Sequence, residues 1–429
     1  MTTVTDLINV LHRNGVTGGG DLVRLLETSP ATLSRLVRAA GNQVVRLGRT
    51  RGVRYGLLDE IPTVGSVLPV WEIDGQGDAQ PFGNLSVLRG PACWLEFDAG
   101  GRFYEGLPPF IADMAPQGYL GRAFPERFPE LDLPQRIADW SDRHQLQAVA
   151  RRGEDVAGNL VLGEESMDRF LTRSIRTTVP DDYPEITRNL ARLGAGSSAA
   201  GEYPKFTVFD GEHHLIVKFT SGDTSPADRR WRDLLACECI ASEVLTAAGY
   251  DAARMRIRDV GDQRFLEVER FDRIGARGRR GALSMAALDD DLYGQRDNWI
   301  AAARRLGIDG LLPEADVEQV RFLETFGQLI GNTDRHFGNI TFFWEPRPHE
   351  RLRLAPVYDM LPMMFAPATG GMVVDRELQV RPPTSVLLPA WREALRCARD
   401  YWSAVAHDVR VSDEFQGVAR AALDALHFH

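Results

Sequence analysis

Asn332-Thr333-Asp334-Arg335-His336-Phe337-Gly338-Asn339, followed by Tyr358-Asp359, gathers the residue types that phosphoryl transfer needs. That reaction uses a carboxylate to accept or orient a hydroxyl proton and oxygen ligands to hold magnesium on nucleotide phosphates. Asp334 stands five residues before Asn339, so one loop can supply both the base and a metal ligand. Asp359 adds the second carboxylate for the metal. The flanks suit such a site: 322–330 reads as a buried helix, 340–344 as a short apolar strand, and 357–364 is again apolar. Taken singly, each residue also has a plain reading, with Asp334 as a cap in a polar loop and Asp359 satisfied by a turn.

The lysines sharpen the chemistry. Of 50 Lys plus Arg, only Lys205 and Lys218 are lysine. A lysine is a compact point charge that fits phosphate oxygens where a planar guanidinium is too large. Lys218 interrupts the apolar strand pattern Leu215-Ile216-Val217-Lys218-Phe219, as the nucleotide lysine of a protein kinase does. Lys205 ends a run of small residues that includes Gly194, Gly196, Ser197, Ser198, Ala199, Ala200 and Gly201 and passes through Glu202. Small residues let backbone N–H groups approach phosphates closely. Alone such a run is a linker; with Lys218 and the downstream Asp/Asn/Asp set it reads as a phosphate loop.

These residues resemble the HipA family of serine/threonine kinases, the toxin half of bacterial persistence toxin–antitoxin pairs. The family's catalytic loop, Asn-x-Asp-x-His-x-x-Asn, matches at Asn332, Asp334, His336 and Asn339. The resemblance implies Asp334 as base, with His336 and Lys218 in the catalytic set, and Asn339 and Asp359 as magnesium ligands. It implies ATP bound by 198–202, Lys205 and Lys218, with Ser198 as the self-phosphorylated residue. Glu267, Glu269 and Phe271 fall in a stretch similar to the hinge whose backbone meets adenine. Leu107-Pro108-Pro109-Phe110-Ile111-Ala112-Asp113-Met114 and Gly153-Glu154-Asp155-Val156-Ala157-Gly158 resemble upstream family signatures. Two departures stand out: Tyr203 where the family has Gln, and Cys237-Glu238 where it has Asn-Glu. Glu238 therefore either partners Lys218 or lies solvated on its helix.

Residues 1–58 differ from the rest: eight Arg face three acidic residues, while the whole chain carries −10. A basic module on an acidic protein points to an anionic partner for that module. Apolar spacing predicts helices over 4–13, 21–27 and 31–40, then strands at 44–47 and 53–57. That is the pattern of a winged helix-turn-helix. Thr32, Ser34, Arg35 and Arg38 would face the major groove, and Arg49 and Arg51 at the wing tip would lie on phosphates or in the minor groove. A helical protein-interaction module is the alternative. Fused HipA-like proteins of the YjjJ type resemble this arrangement.

The expected architecture is α+β, a HipA-like fold related to protein kinases. Residues 1–60 form the winged helix, 61–185 a strand-rich subdomain, 186–275 the nucleotide lobe and 276–429 a helical catalytic lobe. The last lobe should end in helices near 391–406 and 413–426. Met1–Leu11 contains Asp6 and lacks a long apolar run, so no signal peptide is expected, and no stretch approaches membrane-spanning length. Cys93, Cys237, Cys239 and Cys397 lack metal spacing and read as reduced cytoplasmic thiols. The leading expectation is an ATP- and magnesium-dependent protein serine/threonine kinase with a fused DNA-binding module. Its partners would be duplex DNA through 1–60, a protein substrate such as an aminoacyl-tRNA synthetase or other translation factor, and a second copy of the chain. A nucleotide-sensing transcriptional regulator with little turnover is a second class. A metal-dependent DNase is a third, in which Lys218 and the phosphate loop would have no purpose.

Overall fold

The computed structural model describes residues 2–48, 52–97, 100–192, 204–345 and 352–427. Arg49 and Arg51, and the phosphate-loop residues Ser198, Ala199, Ala200, Gly201 and Glu202, lie outside the described residues. The chain forms two compact units.

The first unit holds residues 1–74, 78–116 and 130–173. Its opening helix, Val4–Asn14, starts at a capping box: Asp6 N donates to Thr3 Oγ1, and Thr3 N donates to Asp6 Oδ2 at 2.8 Å. Helices Gly19–Leu25 and Pro30–Ala40 follow, the latter capped by Ser29. Leu7, Leu11, Leu22, Leu26, Leu33 and Leu36 close a small core between the three. Strand Arg54–Leu57 lies between Val44–Leu47 and a two-residue strand, Thr17–Gly18. That third strand sits where sequence alone shows only a glycine break. Two paired residues leave too little periodicity to read.

A five-stranded antiparallel sheet follows, with Gly100–Glu105 at one edge, then Ala92–Phe97, Ala79–Leu88, Val67–Ile73 and Leu160–Leu162. No linker separates it from the helices before it. Leu58 bridges to Leu88, and Leu47, Leu88 and Trp94 share one buried cluster with Val16 and Val45 packed against it. The Arg54 guanidinium lies 4.3 Å over the Phe103 ring.

The second unit holds residues 75–77, 117–129 and 174–429. Its four-stranded antiparallel sheet runs Met255–Val260, Gln263–Glu269, His214–Phe219, Lys205–Phe209. The register sets Lys218 opposite Leu266 on one side and Lys205 on the other. The helix Pro226–Ala247 follows, begun by Ser225 as cap and Pro226 at its first position. Leu234, Leu235, Ala236, Cys237, Ile240 and Ala241 are all buried, so this helix is apolar around most of its girth. Helices Met285–Leu292, Trp299–Ile308, Glu314–Leu329, Leu388–His407 and Asp413–His427 build the rest around Phe326, Phe365, Tyr401, Trp402 and Phe415. The first of the last two begins three residues before its expected span, and each ends one residue beyond it.

Candidate active site

Lys218 is presented from strand His214–Phe219 into the buried side of the sheet, 6% exposed. Its ammonium donates to both carboxylate oxygens of Glu238 at 2.7 Å, and it also pairs with Asp359. Twenty residues apart, Lys218 and Glu238 meet because Pro226–Ala247 packs on the sheet, against strands Met255–Val260 and Gln263–Glu269. The solvated-helix reading of Glu238 is therefore set aside: the side chain is 1% exposed and bound to the lysine.

Burial works against the Lys218 charge, but Asp359 and Glu238 outweigh it and hold the ammonium above its ordinary range. Burial also pushes the Glu238 carboxyl up to about 7, with Lys218 pulling against it. Asp359 goes the other way: burial would raise it, but Lys218 and then Lys205 hold it below the usual carboxylate value. Lys218 and Asp359 thus favour each other's charged forms.

The loop 332–339 starts where helix Glu314–Leu329 ends. Gly331 takes φ +72° there, and a Cβ on it would come within 2.6 Å of Met364 Sδ, so any other residue would strain the backbone and displace Met364. Asn332, 1% exposed, ties the loop together. Its Oδ1 accepts from Asp334 N at 3.0 Å, and its Nδ2 donates to Asp359 O at 3.3 Å. One amide therefore fixes the loop 332–339 to the segment that carries Asp359. Asn339 Nδ2 donates to Asp334 O at 2.9 Å. The Asp334 side chain is exposed, and among the described residues nothing bonds its carboxylate.

His336 is exposed, and its Nδ1 accepts from Gly338 N at 3.1 Å while its carbonyl accepts from Trp299 Nε1 at 3.0 Å. Those contacts give it the work of shaping the loop. Tyr358 Oη donates to Gly338 O at 2.7 Å and lies 2.8 Å from Thr341 Oγ1. Asp359, next in the chain, has φ +54°. Asp and Asn tolerate this left-handed backbone best among residues with a Cβ.

The donor set suits magnesium. Committing Asn339 Nδ2 to the backbone leaves the amide oxygen as its acceptor end, and the Asp359 side chain is 27% exposed. Two oxygen ligands, with the remainder from phosphate and water, is how that ion is commonly held.

The three hinge residues separate. Glu267 is interior to the sheet, paired with Val217 and Arg256, and its carboxylate takes Tyr183 Oη at 3.0 Å and Arg256 Nε at 2.9 Å. Glu269 N donates to Arg254 O at 2.9 Å. Among the described residues, Phe271 N–H has no such partner, and its ring sits 5.8 Å from those of Phe343 and Tyr358. Tyr183, 84 residues before Glu267, had no sequence signal. In the other unit, Ser34, Arg35 and Arg38 are exposed on helix Pro30–Ala40, and Thr32 Oγ1 accepts from Arg35 Nη2 at 3.0 Å.

Two family models match this sequence: residues 64–171 match the YjjJ-like toxin, middle domain, and residues 197–425 match the HipA-like C-terminal domain. Toxin YjjJ of Escherichia coli (strain K12) is 33% identical over 434 residues, covering 98% of this chain and 96% of that protein. Y4mE of Sinorhizobium fredii (strain NBRC 101917 / NGR234), named for a proposed kinase, is 24% identical over 339 residues, covering 70% and 78%. HipA of Shewanella oneidensis MR-1, solved with HipB and its operator DNA, superposes with a TM-score of 0.58 at 14% identity, over 84% of this chain and 97% of that one. At that identity the likeness is one of fold.

Proposed function

This chain belongs to the HipA-like toxins of the YjjJ type, and from that membership we propose that it is an ATP- and magnesium-dependent protein serine/threonine kinase with a DNA-binding module at its N-terminus. The observation that carries the kinase reading is Lys218, a buried ammonium pinned between Glu238 and Asp359. A buried lysine is costly unless it has a partner, and this one is aimed at the carboxylate that would hold the metal. A phosphodiesterase needs metal ligands but has no use for such a lysine.

Bound magnesium-ATP would supply the phosphoryl group and the metal's charge. Lys218 would hold phosphate oxygens, exchanging its contact with Asp359 for them while Glu238 keeps it in place. Asn339 and Asp359 would hold the metal. Asp334, exposed at its loop, would accept the proton of a serine or threonine hydroxyl as it attacks. His336, Asn332 and Tyr358 position that loop. The Phe271 N–H, without a partner among the described residues, is the hinge donor best suited to adenine. Lys205 and residues 198–202 complete the phosphate site, with Ser198 as the self-phosphorylated residue.

Three helices, a three-stranded sheet and the exposed Arg35 and Arg38 support a winged helix-turn-helix reading of residues 1–60. Among the described residues, no helix is long and apolar enough to cross a membrane. We place the protein in the cytoplasm on the strength of its family.

One assay separates the readings. Purified protein is incubated with γ-labelled ATP, magnesium and supercoiled plasmid. Label on the protein, mapped to Ser198 by mass spectrometry, is the expected result. Bound ATP without label transfer would favour a nucleotide sensor. Plasmid cutting without label transfer would overturn the kinase reading.

A further inference from the structure

We propose that Arg296 is a specificity residue that binds an acidic side chain of the protein substrate, next to the hydroxyl served by Asp334. The inference rests on the kinase reading and adds to it the substrate's local chemistry.

Arg296 has φ +46°, a backbone that long side chains rarely adopt. Considerable structure is spent on keeping it there. Asp289, 2% exposed, accepts from both Gln295 N and Arg296 N at 2.8 Å through Oδ2. Its Oδ1 accepts from Arg305 Nη2 at 3.0 Å, and Arg305 also grips Asp297 through two contacts of 2.8 and 2.9 Å. Asn298 then caps the helix Trp299–Ile308 by accepting from Ala301 N at 3.0 Å. Glycine or asparagine would adopt the Arg296 backbone with less strain, so the side chain is what the strain retains.

That side chain lies beside the loop that carries Asp334. Its guanidinium is 5.8 Å from the ring centroid of Phe337, a member of the catalytic loop. Trp299, three residues on, bonds the carbonyl of His336 at 3.0 Å in the same loop. The 293–299 segment is therefore anchored to the loop that carries Asp334. Arg296 pairs with Asp290 through Nε at 2.7 Å, and the two side chains are 47% and 53% exposed. An ion pair this open to water contributes little, and its carboxylate can be exchanged for another at small cost. Asp290 thus shows the chemistry the guanidinium accepts: a planar carboxylate taken side-on, which in a substrate would be Asp or Glu near the acceptor.

The test uses the full chain, labelled ATP, magnesium and an arrayed peptide library. Each peptide has a fixed Ser or Thr and one flanking position set to Asp, Glu, Ala or Lys. The wild type should favour Asp or Glu over Lys at one flanking position by about tenfold, the scale of one charge-assisted contact. Arg296→Asn, which suits the left-handed backbone, should bring that ratio close to one, and Arg296→Glu should turn it toward Lys. Arg296→Gly gives a second unstrained variant should the asparagine fail to fold. Asp290→Asn should widen the wild-type preference by removing an internal competitor. Labelling with no acidic preference, or a preference that survives Arg296→Asn, overturns this inference and leaves the kinase reading standing. A wild type that labels neither peptide nor itself overturns both.

Discussion

Lys218 sits where this protein's habitual cation would not fit. Both Glu238 oxygens lie 2.7 Å from one nitrogen, a convergence that suits a tetrahedral ammonium and that a flat guanidinium on a longer arm cannot reproduce. Lys218→Arg should therefore keep the charge yet lose function, with kcat/KM for ATP-dependent labelling down by roughly a hundredfold. Wild-type turnover in that variant would reduce Lys218 to a structural cation. Asp334→Asn is the complementary case. Its side chain is exposed and bonds nothing among the described residues, so ATP affinity in a binding titration should hold while the labelling rate falls by roughly a thousandfold. Spacing made Asp334, Asn339 and Lys218 candidates in the sequence, because each belongs to a short run with its own logic. The work of Asn332 was hidden, since its partner Asp359 O is 27 residues away and is a backbone atom. The positive φ of Asp359 left no trace either: a residue's letter does not report its backbone.

The helix Pro226–Ala247 determines where Glu238 stands, and it is bolted at its start to the C-terminal helix. Asp233 accepts from Ser412 N and Oγ at 2.7 Å each, and Ser412 Oγ in turn accepts from Phe415 N at 3.3 Å. Arg230 reaches Phe365 O at 3.1 Å and Glu414 at 3.0 Å. Asp233→Ala should cost about 1–3 kcal/mol in a denaturant titration, because it strands two donors at a partly buried junction. Since Glu238 is carried on the same helix, the variant should also bind ATP more weakly at temperatures where it remains folded; unchanged binding would show the two ends of the helix to be independent. The helices 388–407 and 413–427 were readable from their one-sided apolar stripes. The 226–247 helix gave no such stripe, because it is covered on most sides, and its facing residues come from 179 positions downstream. Packing of that range is written in no local pattern.

At the scale of the whole molecule, an acidic chain of net charge −10 carries a basic N-terminal module. Full-length protein should bind duplex DNA with an affinity that falls steeply as salt rises, because arginines displace counterions from phosphates. Replacing both Arg35 and Arg38 by Ala should weaken binding and lower the slope of log K against log salt by about 2. Binding indifferent to both the replacement and the salt would mean that residues 1–60 meet a protein instead. The measurement belongs in the full chain, because Leu47 of the module is buried against Leu88 and Trp94 of the sheet beyond it, and a fragment ending at residue 60 would bare that surface. That the module and the sheet belong to one chain as well as one buried cluster has a further consequence. Whatever residues 1–57 bind, their copy number equals that of the rest of the protein in every cell. Where a toxin and its keeper come from separate genes, uneven synthesis or decay tips the ratio and sets sister cells apart. Here the ratio of the module to the rest of the chain is one, whatever the rates of synthesis and decay.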